Sequence, residues 1–193
     1  MEFIAFAIAL AVAYQALKGY RLSKEKTLLY LNLSFMLLGA GLLIDSLANL
    51  VVLLTRFHRA FLFLSPLGYT MNFVAQLLAY ALLVFAYVEQ TRNVDIQIAM
   101  AVAPVLFFEH NAVTELILIF LLVYISAQTA INYSMNKSRN ALLVFGAFAS
   151  LAVSHLFFLI FTLVPVFFAF AHIAQLFGFL LLLAMLFRVN QTS

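Results

Sequence analysis

The chain has 193 residues, of which 67% are hydrophobic and only 9% carry a formal charge. Soluble domains are about half apolar and about a quarter charged, so this composition excludes a soluble enzyme, a nucleic-acid-binding module and a disordered segment. The net charge of +3 does not indicate a nucleic-acid partner, because excess Lys and Arg in a membrane protein report its orientation. Cysteine is absent, which excludes disulfides and Cys-ligated metals. The lipid bilayer is therefore the predicted partner of most of the surface.

Apolar runs that are long enough to cross a bilayer predict an all-α integral membrane protein, a bundle of seven transmembrane helices. We expect a single domain over 1–193, with spans near 3–17, 28–54, 68–88, 95–113, 115–135, 141–163 and 166–187. Pro66 disfavours helix at Ser65, so we expect 61–65 to lie at the membrane interface. The fourth segment is short and contains Pro104, which can kink it.

The charged residues favour seven spans, with the N-terminus outside and the C-terminus in the cytoplasm of a prokaryotic cell membrane. With that count, one side of the membrane holds Lys18, Arg21, Lys24, Lys26, Arg92, Lys137, Arg139 and Arg188. The other side holds Arg56, Arg59, Glu2, Glu109 and Glu115. If the fourth segment did not cross the membrane, Lys137 and Arg139 would lie outside, and the excess of basic residues on the cytoplasmic side would be smaller. The first span has no basic region before it and no small-residue cleavage site, so we expect a retained helix.

The third and seventh spans echo one another. Residues 73–80 read Phe-Val-Ala-Gln-Leu-Leu-Ala-Tyr, and residues 172–179 read His-Ile-Ala-Gln-Leu-Phe-Gly-Phe. Both runs cross in the same direction, which suits a parallel 3+1+3 repeat with the fourth span as linker. The alternative is chance similarity between two apolar helices, since the other two pairs of spans show no convincing match.

Polar side chains inside the spans mark the candidate site, because they are costly in lipid and face the bundle interior or a cavity. Asp45 is predicted to be the only acidic residue deep in a span. At about 1.5 Å of rise per residue, the polar residues of spans 2, 3, 6 and 7 fall in the outer half of the membrane. The candidates for binding a ligand or a proton are Asp45, Asn49, Asn72, Gln76, His155, His172 and Gln175.

Three interpretations of these residues compete. In the first, Asp45 and either His155 or His172 form a protonation-sensitive pair in a cavity open to the outside, where the amides orient a ligand. In the second, the two histidines bind a metal or haem. Adjacent helices about 8–10 Å apart leave little room for a macrocycle, and no third metal ligand has suitable spacing, so we expect no metal and no cofactor. In the third, the polar groups are hydrogen bonds that tie the helices together.

No catalytic motif is present: His-Glu-x-x-His, Gly-x-Ser-x-Gly and a phosphate-binding glycine loop are all absent. The seven-span layout with the N-terminus outside resembles that of microbial rhodopsins and of small seven-helix transporters or sensors. The last span lacks the lysine that a retinal chromophore needs, and the Pro-Gln signature of the small sugar transporters is missing. The resemblance is therefore one of layout alone.

These observations predict a non-enzymatic multi-pass membrane protein, a sensor or a component that binds a small ligand or a proton. Because the loops leave no room for an output domain, we expect it to act through another membrane or cytoplasmic protein. The alternatives are a small transporter or proton-coupled carrier, and a structural subunit of a larger membrane complex such as a respiratory one.

Overall fold

The computed structural model describes residues 1–55, 58–91, 112–161 and 163–192, and every long regular element in these ranges is an α-helix. The helices are α1 (Glu2–Ser23), α2 (Lys26–Thr55), α3 (His58–Thr91), α4 (Ala112–Asn136), α5 (Arg139–Phe161) and α6 (Phe167–Thr192). All six are long and apolar enough to cross a membrane. The described chain is thus an all-α bundle of the kind expected for a multi-pass membrane protein.

The described helices correspond to six of the predicted spans. The predicted fourth span, 95–113, lies outside the described residues except for its last two positions, which belong to α4. The seven-span count therefore stays a prediction.

The expectation that Pro66 disfavours helix at Ser65 is wrong, whereas the interfacial position of 61–65 stays a prediction. α3 begins at His58, and Pro66 lies inside the helix. The helix continues because proline removes a single backbone donor, and bundle helices in membranes tolerate that loss. The Thr70 hydroxyl donates to the Pro66 carbonyl at 2.7 Å, one turn later.

The six helices form a closed ring, in which each packs against the next and α6 packs against α1. Tyr80 contacts His155 and Tyr87 contacts Phe148, so α3 and α5 are antiparallel. A tight turn at Lys137 makes α4 antiparallel to α5. It follows that α3 and α4 run parallel. The last residue of α3 and the first residue of α4 therefore lie at opposite ends of the bundle.

The two ends of the bundle differ in charge. The basic end is where α1 and α4 finish and α2 and α5 start; near it lie the described Lys and Arg side chains Lys18, Arg21, Lys24, Lys26, Lys137, Arg139 and Arg188. The ends of α3 and α6 lie there too. Lys26 pairs with Glu89 at 3.3 Å, and the Asn190 amide donates to the Gln15 carbonyl at 3.0 Å. The opposite end is called the cavity end below.

The first three described helices and the last three share one pattern. When residue numbers are offset by 113, the buried positions of α1 align with those of α4. The shift pairs Ala5 with Leu118, Ala9 with Leu122, Val12 with Ile125 and Ala16 with Thr129, all of them buried. It also pairs Glu2 with Glu115, Gln15 with Gln128 and Tyr20 with Tyr133. Lys24 and Lys137, which follow α1 and α4, are paired as well, and they are the only described non-glycine residues with positive φ.

The correspondence continues through the other helices. The same shift pairs Phe35 in α2 with Phe148 in α5, and both rings are completely buried. A shift of 99 residues pairs Tyr80 in α3 with Phe179 in α6, which are buried as well. The match expected from the third and seventh spans is therefore accompanied by matches in the other two pairs of helices, which the sequence had not indicated.

Candidate functional site

A cavity of about 90 Å³, the inner cavity, lies inside the ring. All six helices contribute to its wall, which consists of Glu2, Leu42, Asp45, Tyr69, Asn72, Phe73, Gln76, Glu115, Leu118, His155, Phe158, Phe168, His172 and Gln175. Since a water molecule occupies about 30 Å³ in the liquid, the cavity has room for a few waters or a small solute.

Six of the seven predicted binding residues line the inner cavity; they are Asp45, Asn72, Gln76, His155, His172 and Gln175. The seventh, Asn49, lines a wider and more open space of about 420 Å³, the outer recess, at the cavity end. Glu2, Asp45, Tyr69 and Phe168 border both spaces, so the inner cavity adjoins the outer recess.

Asp45 is held by neutral amides. The Asn49 side chain donates to Asp45 Oδ1 at 3.3 Å, and the Asn72 side chain donates to Oδ2 at 3.4 Å. The Gln76 amide donates in turn to Asn72 Oδ1 at 3.2 Å. This chain ties α2 to α3 where Gly41 permits close packing, since a Cβ at Gly41 would lie 2.7 Å from that of Ala75. Within the part of the chain that the structure describes, Asp45 therefore borders the cavity without a basic hydrogen-bond partner.

His155 pairs with Glu115 instead of Asp45, which corrects the predicted pairing. Its Nδ1 lies 2.8 Å from Glu115 Oε2, and both side chains are almost fully buried. Its Nε2 lies 3.2 Å from the Tyr80 hydroxyl. Glu115 is thus a second buried acid beside the cavity, in the first turn of α4, where α4 packs against α5.

Tyr69 extends this network towards the cavity end. Its hydroxyl lies 3.0 Å from Thr114 Oγ1 and donates to Glu115 Oε1 at 3.4 Å. Hydrogen bonds thus connect α3, α4 and α5 through Glu115, so that a carboxylate at the start of α4 is satisfied in an apolar setting.

His172 and Gln175 face the cavity from α6, with exposed fractions of 6% and 3%. The imidazole lies edge-on to two rings, with centroid distances of 5.1 Å to Phe158 and 4.5 Å to Phe168. The Gln175 amide interacts with the His172 side chain. Both side chains line the cavity, and together they offer more donors and acceptors than one shared hydrogen bond uses.

The sequence analysis missed Glu2, Glu115 and Tyr69. Glu2 borders the cavity from α1 and accepts a hydrogen bond from Ser46 at 3.2 Å. Glu2 and Glu115 lie at the predicted boundaries of their spans, and residues at such boundaries are expected to face water. A signal was present in the sequence, because they occupy the same position relative to Gln15 and Gln128.

The two halves of the chain contribute equivalent positions to the cavity wall. At shifts of 113 or 99 residues, the paired lining residues are Glu2 and Glu115, Leu42 and His155, Asp45 and Phe158, Tyr69 and Phe168, Phe73 and His172, and Gln76 and Gln175. The backbone positions repeat whereas the chemistry differs. One pair consists of two acids and one pair of two amides, whereas each histidine is paired with an apolar residue.

The haem interpretation does not fit His155. Both of its ring nitrogens take part in hydrogen bonds, to Glu115 and to Tyr80, so neither is free to coordinate iron in this arrangement. Within the described ranges, no group of three His, Asp or Glu side chains has a geometry that could hold a metal ion.

Comparisons with known proteins found no family model, curated protein or solved structure that matches the chain.

Proposed function

We propose that the protein is a seven-span carrier for a small polar solute, which it binds in the inner cavity between two three-helix repeats. The observation that carries this proposal is the cavity wall, to which equivalent positions of both halves contribute. Carriers built from parallel repeats bind their substrates at the interface between the repeats, near the middle of the membrane.

The direction of the helices supports the seventh span. α3 ends at the basic end and α4 starts at the cavity end, which is the arrangement that one further crossing between them would give. The predicted span 95–113 would supply that crossing and complete a 3+1+3 arrangement. By the positive-inside rule, the clustered bases favour a cytoplasmic basic end and an external cavity end.

The packing of the two ends supports a state that is open to one side. The inner cavity adjoins the outer recess, the more open of the two spaces, at the cavity end. Towards the basic end the interior is filled by buried side chains, among them Phe35, Phe148 and Phe179. The Phe35 and Phe179 rings meet edge to face, with centroids 5.3 Å apart. A carrier would alternate between this state and one in which the aromatic core opens and the cavity end closes.

The sensor predicted from the sequence would use the same cavity and would keep it open to one side only. A structural subunit would need no open cavity at all. Access to the cavity from each face therefore separates the three functions.

The test is the reactivity of a single thiol in the cavity. Leu118→Cys introduces the only cysteine of the chain at an apolar lining position. A membrane-impermeant methanethiosulfonate is applied from either face in oriented vesicles. The matched control on the same helix is Phe120→Cys, which is 64% exposed on the outside of the bundle and should contact lipid.

A carrier predicts that the thiol at position 118 reacts from both faces, whereas the thiol at position 120 reacts from neither. Reaction at position 118 from the cavity end alone would overturn the carrier in favour of a sensor. Absence of reaction from both faces would overturn the open cavity.

A further inference from the structure

The inner cavity has an excess of negative charge. Glu2, Asp45 and Glu115 reach it from three different helices, and no Lys or Arg belongs to its described wall. The basic side chains of the described wall are His155, which is paired with Glu115, and His172, which lies within electrostatic reach of the amino group of Met1. Even when that amino group is counted, acidic groups outnumber permanent cations at this site.

The three carboxylates are not equally satisfied. Glu115 is engaged by His155 and Tyr69, and Glu2 accepts a hydrogen bond from Ser46. Asp45 is 9% exposed, and among the described side chains its hydrogen-bond partners are the neutral amides of Asn49 and Asn72. A carboxylate this deep in a membrane bundle needs a positive partner or a proton.

Aromatic rings complete the wall around these acids. Phe73, Phe158, Phe168 and Tyr69 line the inner cavity. The faces of such rings attract cations, and the attraction is stronger where water is excluded. The buried Gln175 amide and the His172 ring also line the cavity and add polar groups to its wall.

We propose that the solute of the inner cavity is a small organic ammonium ion, with Asp45 as its counter-ion. This proposal rests on the carrier function, and it adds the chemical class of the carrier's substrate. The ammonium donates to Asp45 and to the side-chain oxygen of Gln76 or Gln175, while its carbon atoms contact the aromatic rings. A volume of about 90 Å³ limits the ligand to a few non-hydrogen atoms.

The test measures binding to the purified full chain in lipid nanodiscs by titration calorimetry. The probes are ethanolamine, its neutral isostere ethylene glycol, and the anion glycolate. A ligand of this size binds with a Kd of about 0.1 to 1 mM at best. We expect ethanolamine to bind in that range, and ethylene glycol and glycolate to bind at least about tenfold more weakly.

Variants then assign the preference to Asp45. Asp45→Asn keeps the shape and should weaken ethanolamine at least about tenfold while leaving ethylene glycol unchanged. The matched control is Glu89→Gln, which removes a carboxylate paired with Lys26 at the basic end and should leave the Kd unchanged. Gln175→Leu should weaken ethanolamine and ethylene glycol alike, since it removes an amide and no charge.

Equal binding of ethanolamine and ethylene glycol, or an unchanged Kd for ethanolamine in Asp45→Asn, would overturn the inference. If the thiol at position 118 still reacted from both faces, the carrier function would survive that result. If ethanolamine did not bind and the thiol reacted from one face only, both proposals would fail.

Discussion

His155 and Glu115 form a buried pair that joins α4 to α5, with 2.8 Å between Nδ1 and Oε2. Their exposed side-chain fractions are only 2% and 7%. The hydroxyl of Tyr80, 3.2 Å from Nε2, connects the pair to α3. The network therefore crosses the boundary between the two proposed repeats, at a level of the bundle that borders the cavity.

Removing one member of this pair should destabilise the protein more than removing both. Glu115→Leu or His155→Leu alone leaves a buried polar partner and should lower the free energy of unfolding by about 3 kcal/mol. The double variant leaves neither a carboxylate nor an imidazole without its partner, and Tyr69 keeps its contact with Thr114. The buried Tyr80 hydroxyl loses His155 in the double variant as it does in His155→Leu. We expect it to recover at least about 1 kcal/mol relative to the weaker single variant. Equilibrium unfolding in bicelles measures these differences, and additive losses would contradict the pairing.

Gly41 should be intolerant of a methyl group. In Gly41→Ala the new Cβ would lie 2.7 Å from the Cβ of Ala75 and 3.1 Å from the Cα of Asn72. The helices must separate, which costs about 1–3 kcal/mol and moves Asn72 away from Asp45. The matched control is Gly39→Ala, whose nearest contact is an ordinary 3.5 Å. Both changes gain the same helix propensity, so a lower thermal midpoint and weaker ethanolamine binding should appear only in Gly41→Ala.

The proposed topology predicts which face of the membrane each helix end occupies. Single cysteines at Glu89 and Ser138, at the basic end, should react with an impermeant maleimide from the cytoplasmic face. A cysteine at Val113, at the start of α4, should react from the outside. Labelling of positions 89 and 113 from the same face would contradict the crossing proposed for 95–113.

The aromatic core should control access from the basic end. In a Leu118→Cys background, Phe148→Leu shortens a fully buried side chain of this core. We expect labelling from the cytoplasmic face to rise at least about threefold, because the closed arrangement loses packing. The control substitution is Phe120→Leu, on the outside of the bundle, which should leave the rate unchanged. Equal rates in both variants would show that the core does not gate the cavity.

The sequence predicted much of the fold because apolar runs report helices directly. It also identified six residues of the cavity wall, since amides and ionisable groups within such runs must face the interior. It missed the partner of His155 because Glu115 lies at a span boundary, and only the packing of α4 against α5 buries it. It did not indicate the correspondence between α1 and α4, because buried alanines of α1 (Ala5 and Ala9) align with buried leucines of α4 (Leu118 and Leu122). Burial is preserved there whereas residue identity is not.

Uptake of radiolabelled ethanolamine by proteoliposomes tests most directly whether a small cation crosses the membrane through the inner cavity. Vesicles loaded with unlabelled ethanolamine should accumulate the label by exchange when they contain the native chain or Glu89→Gln. With Asp45→Asn, uptake should fall to the level of protein-free liposomes. Uptake by the native chain at that same protein-free level, or equal uptake with and without the Asp45 carboxylate, would contradict the account.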